Sequence, residues 1–156
     1  MAFGGPNQTP PDFPVIDFTP TKNYPSFSGL INQYFTPAAY SNAGGNTLLY
    51  SDVLGGLIEH TAAGAETDTL PSAALLVPEI EAAQAAAPGV YPAPAGAGSG
   101  ILFFVNAGGA GAITIAAGAG GTLVGSGEVA AGTTAMFLLI VTGIGANPSY
   151  NVYHIA

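Results

Sequence analysis

The stretch ILFFVNAGGAGAITIAAGAGGTLVGSGEVAAGTTAMFLLIV, residues 101–141, decides the fold of this chain. It begins and ends with continuous apolar runs, 101–105 and 136–141, which are typical of strands buried on both faces. Between them, residues 112–116 alternate, and 122–124 and 128–129 are short strand candidates separated by glycine-rich turns. Short strands at spacings of about ten residues predict a β-sandwich or jelly roll.

The flanking sequence extends this domain to residues 46–156. Residues 150–155 alternate like a terminal strand, and the apolar runs 47–50 and 57–60 predict a first strand pair with a bulge at the two glycines between them. One short helix is expected, with Ser72 as a suitable N-cap. Pro78 interrupts its sequence, so the helix either starts near residue 79, or a short helix at 72–77 precedes a second one. Residues 88–100 are expected to form a loop.

Residues 1–45 form a different region, an extended arm rich in proline and aromatic residues. Frequent prolines disfavour helix interiors and remove ladder donors, leaving extended backbone. A plain linker lacks large apolar groups, whereas this arm has one every few residues. We expect it to be a strap that anchors on another subunit, although wrapping over its own domain is an open alternative. The expected partner-binding anchors are Phe3, Phe13, Ile16, Phe18, Tyr24, Phe27, Tyr34 and Phe35.

Charge excludes several classes of partner. Charged residues make up 6% of the chain, against roughly 25% in typical soluble domains, and Lys22 is the only basic residue. A formal charge of −8 is incompatible with neutralising nucleic-acid phosphates or docking on an anionic membrane surface. A surface so poor in charge, with β edges to protect, predicts that partner subunits cover part of it.

Two further absences bear on location. The N-terminus lacks a basic region followed by an apolar stretch, so we expect no secretory signal. The longest apolar run, residues 135–141, is far shorter than the roughly 20 residues of a membrane helix. We therefore expect a soluble protein.

The residues that commonly perform chemistry form no motif. There is no cysteine, which excludes thiolate sites. His60 and His154, with Glu66 or Asp68 as a third ligand, are a conceivable metal set, but no spacing motif supports it. Glu59 points away from its neighbour His60 in a strand.

The carboxylate pairs Glu66/Asp68 and Glu79/Glu81 fit a loop and a helix start better than acid–base catalysis, and the glycine runs fit turns. We predict no catalytic, metal or cofactor site, and no enzyme activity.

Several segments resemble, in order and spacing, a domain of tailed-phage virion proteins. That domain has a DTLPTA helix start, a strand ending in Asn, an ITLAAG-G-TLVGSG hairpin, an IAAGTS turn and a C-terminal VTVY. The matching segments are DTLPSAALLV at 68–77, ILFFVN at 101–106, ITIAAG at 113–118, GTLVG at 121–125, AAGT at 130–133 and YNVY at 150–153. The resemblance spans about residues 52–156 and does not cover the arm.

The resemblance implies a β-sandwich on the outside of a virion. With the arm, it predicts a capsid decoration (cement) protein, a homotrimer that binds the major capsid protein, without cofactors, nucleic acid or membrane. The alternative is a receptor- or glycan-binding module of a head fibre, spike or tail fibre. That module would need exposed loop aromatics, for which Tyr91 and Tyr150 are the candidates.

Overall fold

The structure is a computed structural model that describes residues 35–41, 43–85 and 97–155. This part of the chain is mainly β, as predicted, with two helices instead of the one expected. In chain order its elements are β1 (Ala38–Tyr40), α1 (Tyr50–Gly55), β2 (Leu57–His60), β3 (Glu66–Thr69), α2 (Ala73–Ala85), β4 (Gly100–Ala107), β5 (Ile113–Ala116), β6 (Gly121–Val124), β7 (Glu128–Val129), β8 (Thr134–Gly143) and β9 (Ser149–His154).

The strands form two sheets. The larger sheet has the order β1-β2-β4-β8-β9-β6, with antiparallel pairing at its centre, where β8 lies between β4 and β9. Its outer strands pair in parallel, β1 with β2, β2 with β4, and β6 with β9. The smaller sheet has the order β3-β5-β7. The strands predicted at 57–60 and 128–129 are present with the predicted ends, and those predicted at 101–105, 112–116, 122–124, 136–141 and 150–155 are present with shifted ends.

One hydrophobic core connects both sheets and both helices. It includes Val53 of α1, Ile80 of α2, Phe103 of β4, Ile115 of β5 and Phe137 of β8, all at most 1% exposed. The rings of Phe103 and Phe137 stack with centroids 5.4 Å apart. We call the face of the six-stranded sheet that packs on this core the inner face.

The strand predicted at 47–50 is wrong, and α1 takes part of its place. Thr47 makes only an isolated bridge with Thr69, and the helix begins at Tyr50. The Asp52 carboxylate accepts a hydrogen bond from the Leu49 N–H at 2.7 Å, which satisfies a donor at the helix start. The helix ends at Gly55, and the C-cap residue Gly56 has a φ of 78°, in the left-handed region that glycine tolerates.

Both interpretations of the second helix are also wrong, because α2 runs from Ala73 to Ala85 without a break at Pro78. Ser72 precedes the helix as predicted, and its carbonyl accepts the N–H groups of Leu75 and Leu76. An interior proline costs about 3 kcal/mol. Burying Leu76, Val77 and Ile80 contributes about 1.5–3 kcal/mol for each side chain. Packing on the core therefore outweighs the local cost of the proline.

Candidate interaction surface

Of the eight predicted arm anchors, Phe35 is the one that the structure describes, and the other seven lie outside the described residues. The Phe35 side chain is 54% exposed, and its ring lies edge-on against Phe104 of β4, with centroids 5.7 Å apart. The next residue is held to the domain, since the Thr36 N–H donates to the Gly55 carbonyl at 2.9 Å. Within the predicted arm, residues 38–40 form β1, the edge strand of the larger sheet.

The Phe35–Phe104 contact lies on the face of the six-stranded sheet that is turned away from the core. The burial of β4 and β8 alternates along each strand, so Phe103 and Phe137 are fully buried while Phe104 and Leu138 keep partial exposure. The prediction that residues 101–105 and 136–141 are buried on both faces therefore holds for one face in the described structure. We call the other one the outer face.

Two rows of apolar side chains cross the outer face, and we call them the outer band. Strand register sets these rows, because directly paired residues project to the same face. One row consists of Val124, Tyr153, Leu138 and Leu102, and the other consists of Ile155, Met136, Phe104 and Leu57. Val124 and Ile155, at the β6 and β9 side of the sheet, are 42% and 49% exposed.

Polar residues lie at both ends of the outer band. One end has Glu59, Asn106 and Thr134 in register, and the other has Asn151 and Thr122 in register with the apolar Ile140. The band itself contains no charged side chain. A central apolar patch with a polar rim is typical of a protein interaction surface.

The second notable feature is a buried polar network on the inner face. His60 of β2 and Asp68 of β3 are both 0% exposed, and the distance from Nδ1 to Oδ2 is 2.9 Å. The other carboxylate oxygen of Asp68 accepts hydrogen bonds from the backbone N–H and the side-chain amide of Asn46, each at 3.0 Å. The pair thus joins the two sheets through satisfied polar groups. Because no substrate reaches fully buried side chains without the domain opening, the pair is suited to holding structure.

The predicted opposition of Glu59 and His60 is confirmed, because Glu59 is exposed on the outer face. The conceivable metal set is not formed, since β4 and β8 separate the strands that carry His60 and His154. The His154 ring instead stacks on Phe137 at 4.8 Å, and its Nδ1 lies 3.1 Å from the carbonyl oxygen of Ser126. Within the described ranges, no group of three or more His, Asp or Glu side chains is placed to hold a metal.

The carboxylate pairs also lie in elements other than the predicted ones. Glu66 and Asp68 both lie on strand β3, so the predicted loop is wrong, and Asp68 binds His60 and Asn46 there. Glu79 and Glu81 lie in the middle of α2, so the predicted role at a helix start is wrong.

Tyr150, a candidate for an exposed ligand-binding aromatic, is fully buried. Its hydroxyl donates to the Pro71 carbonyl at 2.8 Å and accepts from the Gly118 N–H at 3.0 Å. Burial raises the pKa of Tyr150 above its ordinary value of 10.0. A Cβ at Gly121 would lie 2.3 Å from the ring, so glycine is required there for the close approach. Tyr150 therefore links β9 to the segment before α2, and it is not the exposed aromatic that the receptor- or glycan-binding alternative requires. Tyr91 lies outside the described residues.

A polar contact that sequence reasoning missed joins the edge strand to α1. The Tyr40 hydroxyl donates to Asp52 at 2.6 Å, next to the bond from Leu49. Desolvation, followed by the hydrogen bond and the charge of Asp52, raises the pKa of Tyr40 above its ordinary value. The contact fixes β1 beside α1, just after the point where Phe35 reaches the outer face. No motif signals it, because the two residues are twelve positions apart in segments of different type.

Comparison of the chain with protein families, with curated proteins and with solved structures gives no match. None of the helices in the described part is long and apolar enough to cross a membrane.

Proposed function

We propose that this chain is a structural virion protein, a capsid decoration (cement) protein whose N-terminal arm binds the major capsid protein and stabilises the shell. The protein assembles as a homotrimer on the capsid exterior and has no enzymatic activity. The phage-like segments in residues 68–153 support the virion assignment. The arm and the low charge support a role in binding other subunits rather than a soluble catalyst.

The observation that carries the proposal is the outer band together with the place where the arm joins it. An apolar patch without charges is costly to leave in water, because each fully buried large side chain contributes about 1.5–3 kcal/mol. The arm meets the domain at this patch through Phe35, which rests on Phe104. The arm is longer than this patch requires, because Phe3, Phe13 and Phe18 lie 17 or more positions before Phe35, so the protein is better suited to an assembly than to a free monomer.

The buried network supports the non-enzymatic part of the proposal. His60 and Asp68 form a His–carboxylate pair of the kind used in acid–base catalysis, yet both side chains are inaccessible to solvent. We also propose that the two sheets are the layers of a β-sandwich, since residues from both contribute to one core.

The alternative, a receptor- or glycan-binding module of a fibre or spike, loses Tyr150 as a candidate contact because that side chain is buried. It retains Tyr91, outside the described residues. Specific binding of the isolated protein to host cells or glycans would favour this alternative.

The first test is quantitative mass spectrometry of purified virus particles, which gives the number of copies of this chain relative to the major shell protein. A decoration protein that covers the lattice is expected at hundreds of copies per particle. A handful of copies would instead favour a fibre, spike or tail component. Absence from particles would contradict the virion assignment.

A second test addresses the arm. A variant with Phe3, Phe13, Ile16 and Phe18 replaced by Ser should lose co-sedimentation with shells built from the major capsid protein, because its apolar anchors are gone. The control variant, with Asn7, Gln8 and Asn23 replaced by Ser, changes the same arm and keeps every anchor, and it should bind like the unmodified chain. Equal binding of both variants would contradict the assignment of the arm anchors.

A further inference from the structure

The outer band is an apolar sheet face against which the ring of Phe35 packs, and its central residues Phe104, Met136 and Leu138 are half-buried. The partly buried apolar residues that pack against the core are Tyr40, Leu54, Ile101, Ala117 and Leu123, and no residue of the band belongs to this group. Strands with continuous apolar sequence usually have cover on both faces. The band, with half-buried side chains at its centre and Val124 and Ile155 exposed at one side, is thus incompletely covered.

The position of Phe35 shows where that cover begins. Phe35 precedes the edge strand β1, yet its ring contacts Phe104 on β4, which is two strands away from β1 in the sheet order. The backbone after it is fixed, since Thr36 donates to Gly55 and a Cβ at Gly55 would lie 2.6 Å from the Thr36 carbonyl oxygen. The chain that precedes Phe35 is therefore tethered at the margin of the outer band.

The sequence just before Phe35 matches this surface in length and chemistry. Residues 27–34, FSGLINQY, carry four large apolar side chains and no charge. Six strands spaced about 4.8 Å apart span about 24 Å, and eight extended residues span about 26 Å. The segment is thus long enough to cross the sheet. Its lack of charge also suits the outer band, which contains no charged side chain to pair with one.

We propose that residues 27–34 of the same chain bind the outer band as a covering strap continuous with Phe35. The tether gives this segment a high effective concentration at the band and a small loop-closure cost, advantages that a second copy lacks. The arm then has two parts, of which the first covers its own domain while Phe3, Phe13, Ile16 and Phe18 remain available to a partner. This binding site stands whether or not the chain is a virion protein.

Because the chain has no cysteine, a single introduced thiol reports access to the band without background. Leu138→Cys places the thiol at the centre of the outer band, and Ala131→Cys places the control thiol in the exposed turn before β8. The maleimide labelling rate of each is measured in the full chain, and in the full chain with Phe27, Leu30 and Ile31 replaced by Ser. Each measurement is repeated after tenfold dilution, with the mass followed by light scattering.

The strap predicts that the band thiol of Leu138→Cys reacts on the order of tenfold more slowly in the full chain than in the serine variant, at every dilution. The control thiol of Ala131→Cys should react equally in both. Fast labelling of the band thiol in the full chain overturns the proposal, because the band is then open. Protection that survives the serine substitutions overturns it in favour of another cover. Protection lost on dilution assigns the cover to a second copy and also overturns it. The assay uses no capsids, so its outcome is separate from the test of capsid binding.

Discussion

The two faces of the six-stranded sheet are both apolar at their centres, yet they differ in what the described structure places against them. The inner face packs on α2 and on the smaller sheet, and Phe103, Phe137 and Val152 are fully buried there. The outer face carries Phe104, Leu138 and Tyr153 at neighbouring positions of the same strands, all with partial exposure. Adjacent residues of one strand thus have similar chemistry and different surroundings.

The polar groups follow the same division. On the inner face His60 and the Tyr150 hydroxyl both have hydrogen-bond partners, His60 through Asp68 of the smaller sheet, as buried polar groups require. On the outer face the polar residues lie at the two ends of the band. The inner face therefore specifies the fold, while the outer face offers apolar surface bordered by polar groups. Neighbouring residues on opposite faces give matched variants for testing this division.

The largest expected effect is the difference in unfolding free energy between the alanine variants of Phe137 and Leu138. Phe137→Ala removes a fully buried ring stacked between Phe103 and His154, and it should lower the free energy of unfolding by about 3–5 kcal/mol. Leu138→Ala is the control on the outer face, expected to cost about 1 kcal/mol because the side chain is partly exposed. Denaturant unfolding of both variants gives the comparison, and equal losses would remove the distinction between the faces.

A second comparison uses the neighbours His60 and Glu59. His60→Ala leaves the buried Asp68 carboxyl without its imidazole partner, which should cost about 3 kcal/mol. Glu59→Ala changes an exposed side chain on the outer face, and it should change the unfolding free energy by about 0.5 kcal/mol or less. Thermal and denaturant unfolding measure both. A loss below about 1 kcal/mol for His60→Ala would contradict a structural role for the pair.

Sequence patterns predict the strands well where alternation or glycine turns are clear. Residues 113–116 and 149–154 form strands close to their predicted limits, because local alternation and burial on the core favour the same structure. The two apolar runs are strands, as predicted, but an apolar run indicates only that both faces of the strand favour burial. It contains no information about which part of the molecule supplies that cover.

The errors have tertiary causes. β3 has the polar sequence ETDT, and its role depends on the Asp68–His60 contact, which no local pattern encodes. The helix through Pro78 forms because its neighbours are buried. Tyr150 follows a proline and a serine, a context that predicts an exposed loop, whereas its ring fits against Gly121, 29 positions earlier in the chain. Of the predicted anchors, Phe35 reaches the outer face through the path of the backbone, which composition alone does not give.

The smallest expected effect is the difference in unfolding free energy between the phenylalanine variants of two β9 tyrosines, Tyr150 and Tyr153. Tyr150→Phe removes the hydrogen bonds to Pro71 and Gly118 and should lower the free energy of unfolding by about 1 kcal/mol near neutral pH. Tyr153→Phe, on the outer face, removes a hydroxyl that accepts only a 3.3 Å contact from Asn151 and should be close to neutral.

The pH dependence sharpens this last comparison. Because the folded-state pKa of Tyr150 is raised above 10.0, its contribution to stability is fully present below about pH 10 and is lost as the pH rises through the folded-state pKa. The unmodified chain should therefore lose stability in alkali, and Tyr150→Phe should lose less over the same range, with Tyr40 retaining its own share. Tyr153→Phe should follow the unmodified chain. Unfolding free energies measured from neutral pH into the alkaline range, with tyrosinate absorbance recorded in parallel, provide the test. A Tyr150→Phe curve parallel to that of the unmodified chain would show that burial of the hydroxyl has no energetic consequence. It would contradict a contribution of the Tyr150 hydroxyl to the stability of the inner face.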